Sequence, residues 1–320
     1  MVGGESMDLS HKRVMVTGGG GFLGRHIVEA FQRQGAEVST PRSRSTDLTD
    51  PDATLRAFSS MAPQVVVHAA ADVGGIGYNQ ICPADIFHNN LMMTANILKA
   101  SERSGVEKLV IIGSACAYPG EVDGLMTEDD FLSGPLHPSV ECYGFSKRAL
   151  YFGARAYRDQ YGLNAMVLLL TNLYGPWDKY DPKDSHVVAA LVRKFVEAKQ
   201  RGDARVECWG TGRPVREFLF VEDCAEAIVR ATKVYDKTEP LNIGTGQGTT
   251  IRELTETMRE VTAYQGEVIW DESKPDGAMR KVLDVTRMKA ELGWAPSTGL
   301  KDGLRRTVDW YVNQQAAVAA

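Results

Sequence analysis

A short apolar run, Val14-Met15-Val16, empties into Thr17-Gly18-Gly19-Gly20-Gly21-Phe22-Leu23-Gly24, and the residues that follow to about Gln34 have helical periodicity. The GxxGxxG spacing puts Gly18, Gly21 and Gly24 where a backbone must turn tightly and let a ligand come close. The helix behind them aims free N–H groups and the positive end of its dipole at whatever the turn cradles, which suits a pyrophosphate. A glycine-rich turn alone is weak evidence. Set between a strand and a helix, it predicts a dinucleotide-binding βα unit with Phe22 and Leu23 beside the cofactor.

The same rhythm continues through the first half of the chain. Strands are expected at Arg13-Thr17, Ala36-Thr40, Gln64-His68, Lys108-Ile112 and Asn164-Leu170. Helices are expected at about Leu23-Gln34, Ala53-Ala62, Ala84-Ser104 and Glu141-Tyr161, with Asp50-Pro51 as a start signal for the second. Five strands with crossovers make a Rossmann-type doubly wound parallel sheet, an α/β fold. After Leu170 the pattern loosens into loops such as Tyr174-Gly175-Pro176 and Gly210-Thr211-Gly212-Arg213-Pro214, with helices expected at about Ser185-Arg201 and Val221-Tyr235. The expected division is a dinucleotide-binding domain over 1–173, to which 215–240 returns, and a smaller substrate lobe from 174–214 and 241–320.

Composition excludes several classes. With 320 residues, 43% of them hydrophobic, the chain can bury a substantial core. Its 36 basic and 41 acidic residues are scattered, without the basic footprint of a nucleic-acid binder. The five cysteines show neither CxxC spacing nor histidine clusters, so no disulfide framework and no metal site is expected, and a reducing cytoplasm fits best. No signal-peptide core opens the chain at Met1 to Lys12, and no apolar run reaches the roughly 20 residues of a membrane span, so a soluble protein is expected.

An acidic residue at the end of the second strand is the usual mark of NAD. Here the chain reads Ser39-Thr40-Pro41-Arg42-Ser43-Arg44. Arg42 and Arg44 offer planar, permanently charged donors for a 2′-phosphate, so NADP is expected over NAD. Asp47, a few residues on, is within reach of an adenine edge or serves a turn.

Tyr143 and Lys147 in Tyr143-Gly144-Phe145-Ser146-Lys147 are four apart, on one helix face. A cation beside a phenol stabilises the phenolate and lowers the tyrosine pKa toward working pH. Ser114 follows the fourth strand at the carboxyl end of the sheet, where its hydroxyl can share a substrate oxygen with Tyr143. Asn172 follows the fifth strand at a similarly ligand-facing position.

The order of the glycine turn, Ser114 and the Tyr143/Lys147 pair resembles the extended short-chain dehydrogenase/reductase family. Further segments are similar to its GDP-L-fucose synthases, GDP-4-keto-6-deoxy-mannose epimerase/reductases: Val73-Gly74-Gly75-Ile76, Pro83-Ala84-Asp85, Gly113-Ser114-Ala115-Cys116-Ala117-Tyr118-Pro119, Thr171-Asn172-Leu173-Tyr174-Gly175-Pro176, Ser185-His186-Val187, Trp209-Gly210, Arg216-Glu217-Phe218-Leu219 and Pro275-Asp276-Gly277. Dehydratases of the superfamily carry acidic residues beside the catalytic hydroxyl, whereas Ala115 and Cys116 follow Ser114 here.

The resemblance implies epimerisation at C3 and C5 by Cys116 and His186, then NADPH-dependent reduction at C4 with Tyr143 as proton donor. A helix begun by His186 and capped by Asp184 or Ser185 would disfavour the imidazolium. The resemblance also points to Trp209, Arg216, Arg193, Lys194 and Lys281 as contacts of a GDP-sugar, and to a homodimer formed through the helices near 84–104 and 141–161. A single-function reductase or epimerase on a related GDP-sugar would draw on the same residues. Gly19 and Gly20 stand where many of these synthases have His-Arg, and Asp72 and Tyr78 differ from the residues usual there.

Overall fold

The computed structural model describes residues 6–182, 185–274 and 276–319; Met1–Glu5, Asp184 and Pro275 lie outside them. In chain order the first half forms β1 (Arg13–Thr17), α1 (Phe22–Arg33), β2 (Glu37–Ser39), α2 (Pro51–Met61), β3 (Val65–His68), α3 (Ile76–Ile81), α4 (Pro83–Arg103), β4 (Lys108–Ser114), α5 (Glu141–Tyr161) and β5 (Ala165–Leu170). The ends fall within two residues of those expected. Asp50 caps α2 by accepting the N–H groups of Asp52 and Ala53, with Pro51 in the first turn. Helix α3 is an addition, hidden by the glycines at 74, 75 and 77.

The carboxyl half adds β6 (Asn172–Tyr174), α6 (Val187–Arg201), β7 (Arg205–Trp209), β8 (Val215–Arg216), β9 (Phe218–Phe220), α7 (Val221–Val234), β10 (Leu241–Ile243), β11 (Thr249–Thr250), α8 (Ile251–Thr262), β12 (Glu267–Asp271), β13 (Arg280–Lys281), α9 (Thr286–Leu292) and α10 (Leu300–Ala319). Among the described residues no helix is long and apolar enough to cross a membrane.

The central sheet has the order β2-β1-β3-β4-β5-β10, all parallel. Apart from the edge strand β2, its strands are buried on both faces, under α1, α7 and α9 on one side and α2, α4 and α5 on the other. A second apolar core lies under α6, α8 and α10, where Val192, Phe195, Leu254, Met258 and Leu304 meet beside β7 and β12.

Six strands, not five, make the sheet. The sixth, β10, falls in the segment 241–320 expected to belong to the lobe, and α9 of that segment also packs on the sheet's core. The strand is short and reads Leu-Asn-Ile, so no apolar run announces it. Buried Asn242 is nonetheless fully engaged. Its amide oxygen accepts the Tyr118 hydroxyl at 2.7 Å, its amide nitrogen donates to the carbonyls of Met126 and Asp284 at 2.9 Å each, and its backbone N–H reaches Glu128 at 3.0 Å. Asn242→Leu, which strands that hydroxyl and those carbonyls, is expected to lower the unfolding free energy by about 2–4 kcal/mol in urea titration. A loss below 0.5 kcal/mol would show that water replaces the side chain.

Candidate active site

Strand order reverses at β1, with β2 on one side and β3 on the other, and at such a switch point the loops after neighbouring strands part to leave a crevice. Thr17 and His68 end the two strands in register. Thr17 Oγ1 lies 2.8 Å from His68 Nδ1 and accepts the N–H of Ala70 at 3.2 Å. His68 is a functional-site neighbour that pattern reading missed, although its place at a strand's carboxyl end was the available signal. Burial, with Lys147 nearby, pushes its pKa down to about 3, so the ring is neutral.

The glycine turn fits a dinucleotide's phosphates. Gly18 has φ +71°, and a Cβ there would come within 2.8 Å of the Ala70 nitrogen. At Gly24 a Cβ would collide with the Gly18 carbonyl, so this glycine lets α1 start against the turn. The first turn of α1 has no acidic residue and no side-chain cap, which leaves its N–H groups for an anion. Phe22 and Leu23 open that turn. Arg42 lays its guanidinium against Gly20, in the space a side chain at 20 would fill. Arg44 is exposed. Asp47 serves a turn, accepting the N–H and hydroxyl of Thr49 at 2.9 and 2.7 Å, and these bonds hold its carboxyl below the usual range.

Tyr143 and Lys147 are buried one turn apart on α5. The Lys147 ammonium lies 5.6 Å from the Tyr143 ring centroid and donates to the Ile112 carbonyl at 2.9 Å. Ser114, the last residue of β4, lies close enough to Tyr143 to act on its phenol, and its Oγ accepts the Cys116 N–H at 3.1 Å, so its own proton can point to that phenol or to a substrate oxygen. The expected lowering of the phenol pKa by Lys147 is not what the structure gives. Burial dominates and pushes Tyr143 up, a charge on Cys116 adds to this, and the Ser114 hydroxyl opposes it more weakly. The phenol therefore holds its proton, the state from which a proton donor starts. Burial pushes Lys147 down to about 8.

Cys116 follows Ser114 in a single 3-10 turn, Ala115–Ala117. It lies within electrostatic reach of Tyr143, Lys147, Arg216 and Lys281. Arg216 and Lys281 face each other across the β8–β13 ladder, and burial lowers the pKa of both. Between them in sequence terms stands another residue the pattern did not single out for a role. Glu217 is fully buried, accepts the N–H groups of Thr245, of Gly246 at 2.9 Å and of Leu283 at 2.7 Å, and offers its carbonyl to the Asn172 side chain at 2.9 Å. Burial raises its pKa and the backbone donors oppose the rise.

Trp209, 64% exposed, lies 5.6 Å from the ammonium groups of both Lys194 and Lys274, an aromatic platform edged by cations. Arg193 is not part of it. Consecutive helix residues point about 100° apart, and Arg193 turns to Glu197 at 3.7 Å and to Tyr311. His186 is the N-cap residue of α6, without a side-chain cap, so Ser185 does not play the capping role expected, and the proposed alternative Asp184 lies outside the described residues. The charged neighbour of His186 is Asp178, 3.8 Å away.

Because Lys147 must be a cation to stabilise a phenolate at Tyr143, the charge is lost as pH rises through about 8. The kcat/KM for carbonyl reduction is expected to fall tenfold per unit above that pH, as read from a pH–rate profile. A flat profile from pH 7 to 9.5 would contradict it.

Comparison with known proteins gives a consistent result. Residues 14–244 match the NAD dependent epimerase/dehydratase family. The chain is 41% identical over 308 residues to the GDP-L-fucose synthase of Sinorhizobium fredii, covering 96% of this chain and 98% of that one. It is 38% identical over 317 residues to the GDP-L-fucose synthase of Escherichia coli, covering 96% and 98%. The crystal structure of a GDP-L-fucose synthetase from Naegleria fowleri bound to NADP superposes with a TM-score of 0.91 at 26% identity, covering 98% of this chain and 96% of that one. With its GxxGxxG turn, its Ser114/Tyr143/Lys147 set and this end-to-end similarity, the chain belongs to the NAD dependent epimerase/dehydratase family, on the branch of the GDP-L-fucose synthases.

Proposed function

We propose that the protein converts GDP-4-keto-6-deoxy-D-mannose to GDP-L-fucose, by epimerisation at C3 and C5 followed by NADPH-dependent reduction at C4. The observation that carries this reading is the place of Cys116, in the turn after Ser114 with its backbone against Gly144, the residue after Tyr143. A thiol able to move protons stands among the groups that would handle the C4 oxygen, Ser114, Tyr143 and Lys147, and the cations Arg216 and Lys281 that suit a diphosphate.

When bound, NADPH supplies the hydride. Gly18, Gly21 and the first turn of α1 would hold its pyrophosphate, and Arg42, lying against Gly20, its 2′-phosphate. In the epimerisation, loss of a proton from C3 or C5 sends the C–H electron pair toward the C4 carbonyl, whose oxygen receives hydrogen bonds from Ser114 and Tyr143. Cys116 and His186 take and return those protons. In the reduction, Tyr143 gives its proton to the C4 oxygen, and the phenolate left behind has the Lys147 ammonium beside it. Trp209 with Lys194 forms a surface for the nucleotide, and Asn172 a polar contact for the sugar.

The homodimer reading draws support from α4 and α5, which pack side by side and leave Phe87, Phe145 and Phe152 exposed, with Phe87 and Phe145 in ring contact at 5.9 Å. A reducing cytoplasm, where five free cysteines stay as thiols, is the compartment proposed.

In deuterated water without NADPH, the 4-keto sugar nucleotide is expected to gain deuterium at C3 and C5, and later addition of NADPH is expected to yield GDP-L-fucose. Absence of exchange sinks the epimerase half, and absence of NADPH oxidation sinks the reductase half. Cys116→Ser is expected to slow the exchange by about 100- to 10,000-fold. Arg42→Ala is expected to raise KM for NADPH roughly tenfold while leaving that for NADH within about twofold; an equal loss for both cofactors would remove Arg42 from the 2′-phosphate.

A further inference from the structure

The loop from Gly175 to His186 is clamped at its start. Trp177 adopts φ +69°, a left-handed conformation that is costly for a bulky residue and persists only when its surroundings over-determine it. Those surroundings are the Arg25 guanidinium of α1, 4.5 Å from the Trp177 ring centroid, and Trp310 of α10, its centroid 5.1 Å away. His26 Nε2 lies 3.1 Å from the Pro176 carbonyl. Tyr180 packs on Tyr311 with centroids 4.5 Å apart and donates its hydroxyl to the Gly175 carbonyl at 3.3 Å.

Asp178 sits within this clamp. Its side chain is only 3% exposed. Oδ1 accepts the Lys179 N–H at 2.7 Å and faces His186 Nδ1 at 3.8 Å, while Oδ2 is buried with no hydrogen-bond partner among the described residues. Burying a carboxylate with an unfilled acceptor is unfavourable, and an Asp serving only the Lys179 turn gains nothing from it. The His186 side chain, by contrast, is 51% exposed. With Nδ1 toward the carboxylate, Nε2 across the ring is left for substrate.

We infer that Asp178 is a positioning residue for His186: it fixes the neutral ring with its proton on Nδ1 and balances the imidazolium that forms when Nε2 takes a proton from the sugar. The inference rests on the epimerase reading above. In the step itself the C–H proton passes to Nε2, the electron pair enters the enolate, and Nδ1–H stays directed at Asp178, so the ring's positive charge is met by the buried negative one. The 3.8 Å separation is longer than a hydrogen bond. A ring movement of about 1 Å closes it, and unliganded sites commonly hold such contacts loosely.

The test compares Asp178→Asn, His186→Asn and the double variant with the unaltered protein. Two rates are followed, deuterium exchange at C3 and C5 without NADPH and NADPH oxidation with ketone already epimerised. Asp178→Asn is expected to slow the exchange about 10- to 100-fold through kcat, with KM within about twofold and reduction within about threefold. The double variant is expected to be no slower than His186→Asn alone.

Exchange within twofold of the unaltered protein, fully additive losses in the double variant, or reduction falling in step with exchange would each overturn the role. A second measurement needs no variant. The ¹⁵N shifts of His186 in the unaltered protein are expected to report a neutral ring protonated at Nδ1, and a ring protonated at Nε2 overturns the inference. Absence of any exchange in the unaltered protein removes the epimerase reading itself, whereas exchange that survives Asp178→Asn removes only Asp178's part.

Discussion

The carboxylate of Glu217 is withdrawn from water altogether, and it is satisfied by backbone N–H groups from two distant stretches, Thr245 and Gly246 after β10 and Leu283 after β13. One ionisable group thus joins the last strand of the central sheet to the small β11-β8-β13 sheet. Its neighbours in sequence and register are the groups that matter chemically. Arg216 precedes it, Lys281 lies opposite Arg216, and Asn172 donates to its carbonyl. The cationic face of the site is therefore positioned by a carboxyl group closed off from solvent.

That arrangement concentrates unlike demands in a small volume. Lys147 and Tyr143 sit in surroundings that penalise charge, and both respond in the direction burial dictates, the lysine toward neutrality and the tyrosine toward keeping its proton. Cys116 occupies the position at which these two meet the cations of β8 and β13. At the reacting oxygen such a setting favours negative charge that develops only during reaction, as on an enolate or alkoxide, while the standing charge of a diphosphate would fall to the cations.

Much of this was legible in the chain. The five leading strands and the helices between them are separated by clear punctuation, and short apolar runs and period-3.6 patterns report burial directly. The glycine turn and the Tyr143/Lys147 spacing are local, so their geometry follows from the elements that carry them. What was hidden depends on contacts between distant residues. Strand β10 contains Asn242, a polar residue made tolerable in the interior by partners more than forty positions away. Arg193 and Lys194 are adjacent in sequence, and only the packing of α6 decides which of them joins Trp209. The phenol of Tyr143 moves opposite to expectation because the depth of its burial outweighs the nearby cation, a balance that spacing alone does not reveal. Asp178 looks like an ordinary loop acid until one oxygen is found facing His186 and the other buried.

Arg25 has a further consequence. Its Nε donates to the Gly20 carbonyl at 3.1 Å, within the turn that cradles phosphates, and its guanidinium covers Trp177 at the head of the loop leading to His186. One side chain is thus common property of two binding regions. Whatever free energy a ligand in the turn spends on shifting Arg25 is felt at the loop, and linkage requires that a ligand at the loop act on the turn by the same factor. Cofactor and sugar nucleotide would then sense each other through Arg25 as well as where hydride passes between them.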